Sequence, residues 1–383
     1  MKIAILTQPL GKNYGGILQA YALQNILIRL GHDSVIIDRQ DNYPSFKLLL
    51  WRLASFVKCL IKKHIKKDPN VLVLNPIAVD YITDRRLAYD YTKIEHFVND
   101  NLVRSKVIRT SSGIRSFLIY SNIDCVIVGS DQVWREDYSP CITDYFGGFL
   151  KSDDNIRLIS YAASFGLETI PIAQNNQQEC NQLLRRFHSI SVREKTALDL
   201  LYKEWSIDAN LVLDPTLLFE KSFYEKLIEG YIGKGISVFC YLLDDSIEKK
   251  QIIHKVSEVL QQEVEHILLY PKNNEGNAGR LESMLDWLYS ISNSKYVVTD
   301  SYHGCVFAIL FNKPFVVIAN KKRGIDRFAT LLDMLSLSHR MVSSVEQVTT
   351  LLFEEDIDYT RVNEILKQRR IESMDFLKRS LSK

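Results

Sequence analysis

No two cysteines of this chain form a C-x-x-C pair. The six, Cys59, Cys125, Cys141, Cys180, Cys240 and Cys305, are scattered, and several sit in apolar runs. That predicts buried free thiols in a reducing compartment rather than a disulfide framework. There is no H-E-x-x-H, no set of paired Cys and His ligands and no Walker loop, so no metal is expected. No apolar run is long enough to span a bilayer. The start, MKIAILTQPLGKNYGG, lacks the long apolar stretch and the small-residue cleavage site of a signal peptide, and the expectation is a cytoplasmic protein. A net charge of +2 supplies no field that would select nucleic acid.

What is present is a chain of 383 residues, too long for one ordinary core and suited to two domains. Apolar residues at 46% and charged ones at 25% are ordinary for a globular protein. One segment breaks the even charge pattern. KLLLWRLASFVKCLIKKHIKK, residues 47–67, holds seven Lys or Arg and no acidic residue. Leu50, Leu53, Ala54 and Val57 fall at helical spacing. Two readings stand: a surface helix packed on the body of the protein, or an interfacial helix resting on anionic lipid.

The remaining pattern is β-α-β throughout, which predicts parallel sheets flanked by helices. KIAILT (2–7), SVIID (34–38), DCVIVG (124–129), IRLISYAAS (156–164) and SISVRE (189–194) read as strands. LVLDPTLLF (211–219) reads as a boundary. Beyond it the alternation restarts with strands at 236–243, 266–270, 295–300 and 314–319, separated by helices at 246–262 and 281–292. The tail from about Thr360 is helical. The architecture expected is α/β, with two doubly wound Rossmann-like halves joined near Asp214. In such folds, ligands bind at the carboxyl ends of the strands, in the crevice between the halves.

Four polar loops fall at predicted strand ends. GKNYGG (11–16) does not have dinucleotide-fingerprint spacing. It is either a tight turn or a set of backbone N–H groups with Asn13 and Tyr14 facing a ligand. GSDQVWR (129–135) places Asp131 and Gln132 to bind sugar hydroxyls and Trp134 to stack on a sugar face. Alternatively, Asp131 caps a helix and Trp134 is core. In SVREK (191–195), Arg193 is suited to gripping a carboxylate or phosphate, or to a surface ion pair. YVVTDSYHGC sets Asp300, Ser301, His303 and Gly304 at a strand-to-helix turn, where free N–H groups and the helix dipole favour an anion. The alternative is a capping Ser or Asp beside a satisfied histidine. NKKRG, with Lys321, Lys322 and Arg323, follows the next strand and is either part of the same anion site or a solvated turn.

Taken together, NYGGILQAYALQ (13–24), VIVGSDQVW (126–134), SYAASFG (160–166), SVRE (191–194), LDPTLL (213–218) and TDSYHG…FNKPFVVI (299–318) resemble the polysaccharide pyruvyl transferase family. Residues 40–110 and the tail resemble nothing nameable. The resemblance implies a fold similar to the GT-B glycosyltransferases. It also implies transfer of pyruvate from phosphoenolpyruvate to two hydroxyls of one sugar, a galactose-type residue of a surface polysaccharide precursor, giving a cyclic ketal. Phosphoenolpyruvate is then a co-substrate, and no cofactor is expected.

By the same resemblance, His303 is the proton donor, Arg193 binds the donor and Asp131 accepts or orients a sugar proton. Phosphoenolpyruvate is assigned to Arg193, Ser301, His303, Gly304, Lys321 and Lys322. The acceptor is assigned to Asn13, Tyr14, Ser130, Gln132, Trp134 and Ser164. Many relatives carry an arginine where this chain has Ser301, so another cation must hold the phosphate. Residues 1–213 become the acceptor domain, with 47–67 inserted in it. Residues 214–345 become the donor domain, and 346–383 a helical tail packing back on the first domain. A polyprenyl-diphosphate-linked acceptor would bring 47–67 to the inner face of the membrane. A GT-B glycosyltransferase using a nucleotide sugar and an inert glycan-binding subunit are the alternatives.

Overall fold

A computed structural model describes residues 1–11, 13–42, 46–67, 73, 92–244, 246–268, 282–320 and 324–382. The first half contains β1 (Lys2–Leu6), α1 (Tyr14–Arg29), β2 (Asp33–Ile36), α2 (Phe46–His64), α3 (Thr92–Asn101), α4 (Ser111–Tyr120), β3 (Cys125–Asp131), β4 (Arg157–Ala163), α5 (Gln174–Leu184), β5 (Ser191–Val192), α6 (Lys195–Trp205) and β6 (Asn210–Leu211). The second contains α7 (Lys221–Glu225), β7 (Val238–Leu242), α8 (Ile247–Leu260), β8 (Val264–Leu268), α9 (Met284–Asn293), β9 (Tyr296–Thr299), α10 (Tyr302–Leu310), β10 (Phe315–Ile318), α11 (Asp326–Met334), β11 (Met341–Val342), α12 (Leu351–Glu354) and α13 (Tyr359–Leu381).

The strands form two parallel sheets, ordered β2-β1-β3-β4-β5-β6 and β11-β10-β9-β7-β8. Their central members, CVIVGSD, YVVT and FVVI, are buried along their whole length. Helices covering both faces of a parallel sheet leave no solvent side, so these strands read as unbroken apolar runs. Side-chain caps start several helices: Thr110 on α4, Ser246 on α8, Asp358 on α13 and a reciprocal Ser283–Asp286 box on α9.

Strand order reverses once in each sheet, between β1 and β3 and between β7 and β9. Such reversals open crevices at the strand carboxyl ends, and here the two crevices face one another. The apolar core runs on between the sheets. Ile17, Leu18 and Leu23 of α1 share one cluster with Val306, Phe307 and Ile309 of α10, with Trp287, and with Leu366 and Leu377 of α13. All nine residues of α10 are buried. The tail helix α13 lies on the first sheet's side: Leu213 N donates to Ser373 Oγ at 2.9 Å and Arg157 Nη1 to Ser380 O at 3.0 Å.

Five cysteines are buried, Cys141 is half-buried, and all six are free thiols. Among the described residues no helix is long and apolar enough to cross a membrane. The strand read at 266–270 begins two residues earlier, at Val264, and its last two residues fall outside the described part.

Candidate active site

The facing crevices enclose a cleft of about 520 Å³. The first domain lines it with Gln8, Asn13, Asp41, Asp131, Gln132 and Tyr138, and the second with Leu243, Asp300, Ser301, Tyr302, His303 and Arg327. The first wall is fixed by a buried polar relay. Gln19 Nε2 donates to Thr7 Oγ1 at 2.8 Å, Thr7 Oγ1 donates to Ser130 O at 3.0 Å, and Ser130 N donates to Gln19 Oε1 at 3.1 Å. Asp131, at the end of β3, is held at φ +75°, a left-handed conformation that costs a non-glycine residue energy and is enriched at functional sites. The second wall is braced by Lys249, which bonds to Asp244 and Asp300, while Asp300 Oδ1 accepts from Leu243 N at 2.7 Å.

Beneath the cleft lies a buried ionic cluster. Arg193 Nη1 meets Asp214 Oδ2 and Nη2 meets Asp131 Oδ1, both at 2.7 Å. Asp214 Oδ1 accepts from Thr216 N and Oγ1, and its Oδ2 lies 3.1 Å from Ser130 Oγ and 3.6 Å from His303 Nε2. Burial pushes the Asp214 carboxyl up, but His303, Arg193 and Thr216 outweigh it and hold the group well below the usual carboxylate range. At Asp131 burial is likewise outweighed, by Arg193, His303 and Arg327.

Two arginines share one aromatic ring. Arg193 Cζ lies 4.7 Å and Arg327 Cζ 5.5 Å from the Tyr302 centroid. Burial, and then the like charge of Arg193, pull the Arg327 guanidinium down to about 10 against the attraction of Asp131 and Glu194.

Two glycines let the domains meet here. A Cβ on Gly15 would fall 2.2 Å from Cγ and Nδ1 of His303, so α1 can start against the ring only without a side chain. Gly324, at φ +86°, has space for a hydrogen but not a carbon beside the Gly166 carbonyl, which a Cβ would meet at 1.8 Å.

The structure brings together His303, Asp131, Ser301, Gln132 and Asn13 on the cleft. It corrects other expectations. Trp134 is wholly buried: its Nε1 donates to Tyr145 O and its ring packs on Phe146 and Phe165, so it cannot stack on a sugar. Tyr14 is also buried, stacked on Trp287 with its hydroxyl donating to Glu282 O at 2.7 Å, and it joins the domains instead of meeting a ligand.

Ser130 and Ser164 are buried below the floor of the cleft. Ser130 Oγ donates to Asp214, and Ser164 is buried near Glu194, whose carboxyl burial pushes up. Gly304 N donates to the capping Ser301 Oγ, and a Cβ there would strike Thr299 Oγ1 at 2.3 Å. Its glycine therefore serves the packing of α10 on β9 rather than a ligand. Arg193 is not open to the donor, since both Nη atoms hold carboxylates. Lys321, Lys322 and Arg323 lie outside the described residues.

The sequence reading does not single out Asp214, Arg327 or Gly15. The available signals are the Asp-Pro after a strand for Asp214 and, for Gly15, a second glycine at a helix start. Arg327, in IDRFATLLDM, carries none. Among the described residues no group of His, Cys, Asp and Glu side chains could hold a metal ion.

Two opposed parallel sheets with a cleft between their switch points define a GT-B-type fold, shared with glycosyltransferases and nucleotide-sugar epimerases. The chain covers 100% of its own length and 99% of the UDP-GlcNAc 2-epimerase from Neisseria meningitidis bound to UDP-GlcNAc, at 12% identity and a TM-score of 0.51. A glycosyltransferase from Rickettsia africae matches at 9% identity and a TM-score of 0.48, over 98% of this chain and 93% of that one. At such identity the likeness to the Neisseria enzyme is one of fold. No curated protein sequence matches the chain. The family model for polysaccharide pyruvyl transferase matches residues 13–322, and the chain belongs to that family.

Proposed function

We propose that the cleft transfers pyruvate from phosphoenolpyruvate to two hydroxyls of one sugar, forming a cyclic ketal. The observation that carries this reading is His303. It stands at the meeting point of both switch regions, 3.6 Å from the Asp214 carboxylate and on the same cleft as the buried Arg327. His303 protonates the methylene carbon of the enol, making the central carbon electrophilic, a role worth about a hundred- to ten-thousand-fold in rate. One sugar hydroxyl attacks, the bond from that carbon to the phosphate oxygen breaks, and the second hydroxyl closes the ring. Of the two hydroxyl protons released, one balances the proton that completes the methyl group and the other leaves with phosphate.

Arg327, rather than Arg193, takes the donor's anionic end, since it is the guanidinium that lines the cleft. Asp131 orients an acceptor hydroxyl, because a carboxyl held below its usual range is a weak base. Asn13, Gln132 and Tyr138 offer the polar wall that sugar hydroxyls need.

The test is an incubation with phosphoenolpyruvate and a panel of aryl- and lipid-linked sugars, including galactosides, read by phosphate release and product mass. A product heavier by one ketal-linked pyruvate, with one phosphate released, is expected. Failure across the panel, together with no rise in melting temperature on adding phosphoenolpyruvate, would overturn the reading.

A further inference from the structure

Helix α2 is amphipathic the wrong way round for a helix on a globular body. Its buried residues are Arg52, Ser55 and Cys59, whereas Leu50, Trp51, Val57, Ile61 and Ile65 are each exposed by between 44% and 75%. Leu50, Ala54, Val57, Ile61 and Ile65 fall within an arc of roughly 80° on a helix of 100° per residue, opposite the buried side. Lys58 and Lys62 flank this stripe, and Lys63, Lys66 and Lys67 are exposed as well. No acidic residue occurs between Lys47 and Lys67. A contiguous apolar stripe facing water marks a contact surface.

We propose that α2 docks on the surface of an anionic lipid bilayer, its apolar stripe at the headgroup boundary and its lysines on the headgroups. Charge chooses this occupant. A second copy would set the same run of lysines against one another, whereas anionic lipid complements them. The helix also starts five residues after Asp41, which lines the cleft. That chain spans at most about 18 Å, so docking holds the cleft close to the bilayer, where a lipid-anchored acceptor would lie. The docking itself stands whether or not the cleft transfers pyruvate.

The test is co-sedimentation of the full chain with phosphatidylglycerol-containing vesicles and with pure phosphatidylcholine vesicles, at low and high salt. Binding to the anionic vesicles, weakened by salt, is expected. Lys58→Glu with Lys62→Glu should weaken the partition by at least about thirtyfold, since two basic residues near an anionic surface represent that factor. Val57→Glu with Ile61→Glu should abolish it, with melting temperature unchanged in both variants. No binding to anionic vesicles, or binding that neither variant alters, overturns the proposal. So does a dimer that Ile61→Glu dissociates in the absence of vesicle binding.

Discussion

His303 Nε2, from the second domain, lies 3.6 Å from Asp214 Oδ2 at the end of the first, and the same oxygen is held at 2.7 Å by Arg193 Nη1. One carboxylate thus anchors the buried arginine of one sheet and faces the histidine of the other. Ser130 and Thr216 complete its shell, so it cannot turn away from either. Asp214 itself does not line the cleft.

Replacing the ring tests its chemical role directly. His303→Gln keeps a polar side chain of similar reach and should lower kcat by about a hundred- to ten-thousand-fold with the melting temperature nearly unchanged. Phosphate release under saturating donor is the measurement. An equal loss of kcat and of thermal stability would point to a structural histidine instead.

Asp214→Asn should act on stability and on its pH dependence. Its carboxyl is held below the unfolded-state value of about 3.9. Between the two values the unfolded chain binds the extra proton, so stability rises with pH. The contribution is complete at neutral pH and is lost as pH falls below about 4 through the folded value. Asp214→Asn should therefore cost about 3 kcal/mol at neutral pH, typical of a broken buried pair, and should flatten the acid limb of the unfolding profile. Urea melts from neutral pH downward would show it, and a variant as acid-sensitive as the parent would contradict it.

These partners explain which parts of the protein the sequence reveals. Runs such as CVIVG and FVVI announce buried parallel strands because both faces are covered, whereas β11, of two residues, is too short to carry a pattern. His303 is legible because a histidine at a strand-to-helix turn is a local feature. Asp214 reads as a turn because Asp-Pro makes one, and its tie to His303 exists only once the two sheets meet. Trp134 stands in a polar string, but Phe146 and Phe165, supplied from elsewhere in the chain, cover it. Arg193 looks open to an anion until Asp131 and Asp214, at the ends of other strands, occupy its fork.

Gly15 is the tightest point between the domains. Gly15→Ala suits a helix better by roughly 1 kcal/mol, yet its methyl would sit 2.2 Å from the His303 ring. The ring must move, and misplacement by an ångström costs a rate of about a hundredfold. Gly16→Ala adds the same methyl where the nearest atom is the Asn13 amide at 3.3 Å, and should leave kcat within a few-fold. A steady-state comparison of the two variants checks this, and equal activities would remove the steric account.

Arg327 and Arg193 should separate cleanly on mutation. Arg193 holds Asp131 and Asp214, so its removal leaves two buried carboxylates without that cation, and Arg193→Met should lower the melting temperature before any ligand is added. Arg327 lines the cleft, where burial and the like charge of Arg193 pull it down to about 10. Arg327→Met should leave the ligand-free protein much closer to the parent. It should also abolish most of the stabilisation by phosphoenolpyruvate and raise KM for the donor by about ten- to a hundredfold, the worth of one charge-assisted hydrogen bond. Melting curves with and without donor, beside initial rates, distinguish the two arginines. If Arg327→Met retains the full donor-induced shift, the donor anion is held by another cation.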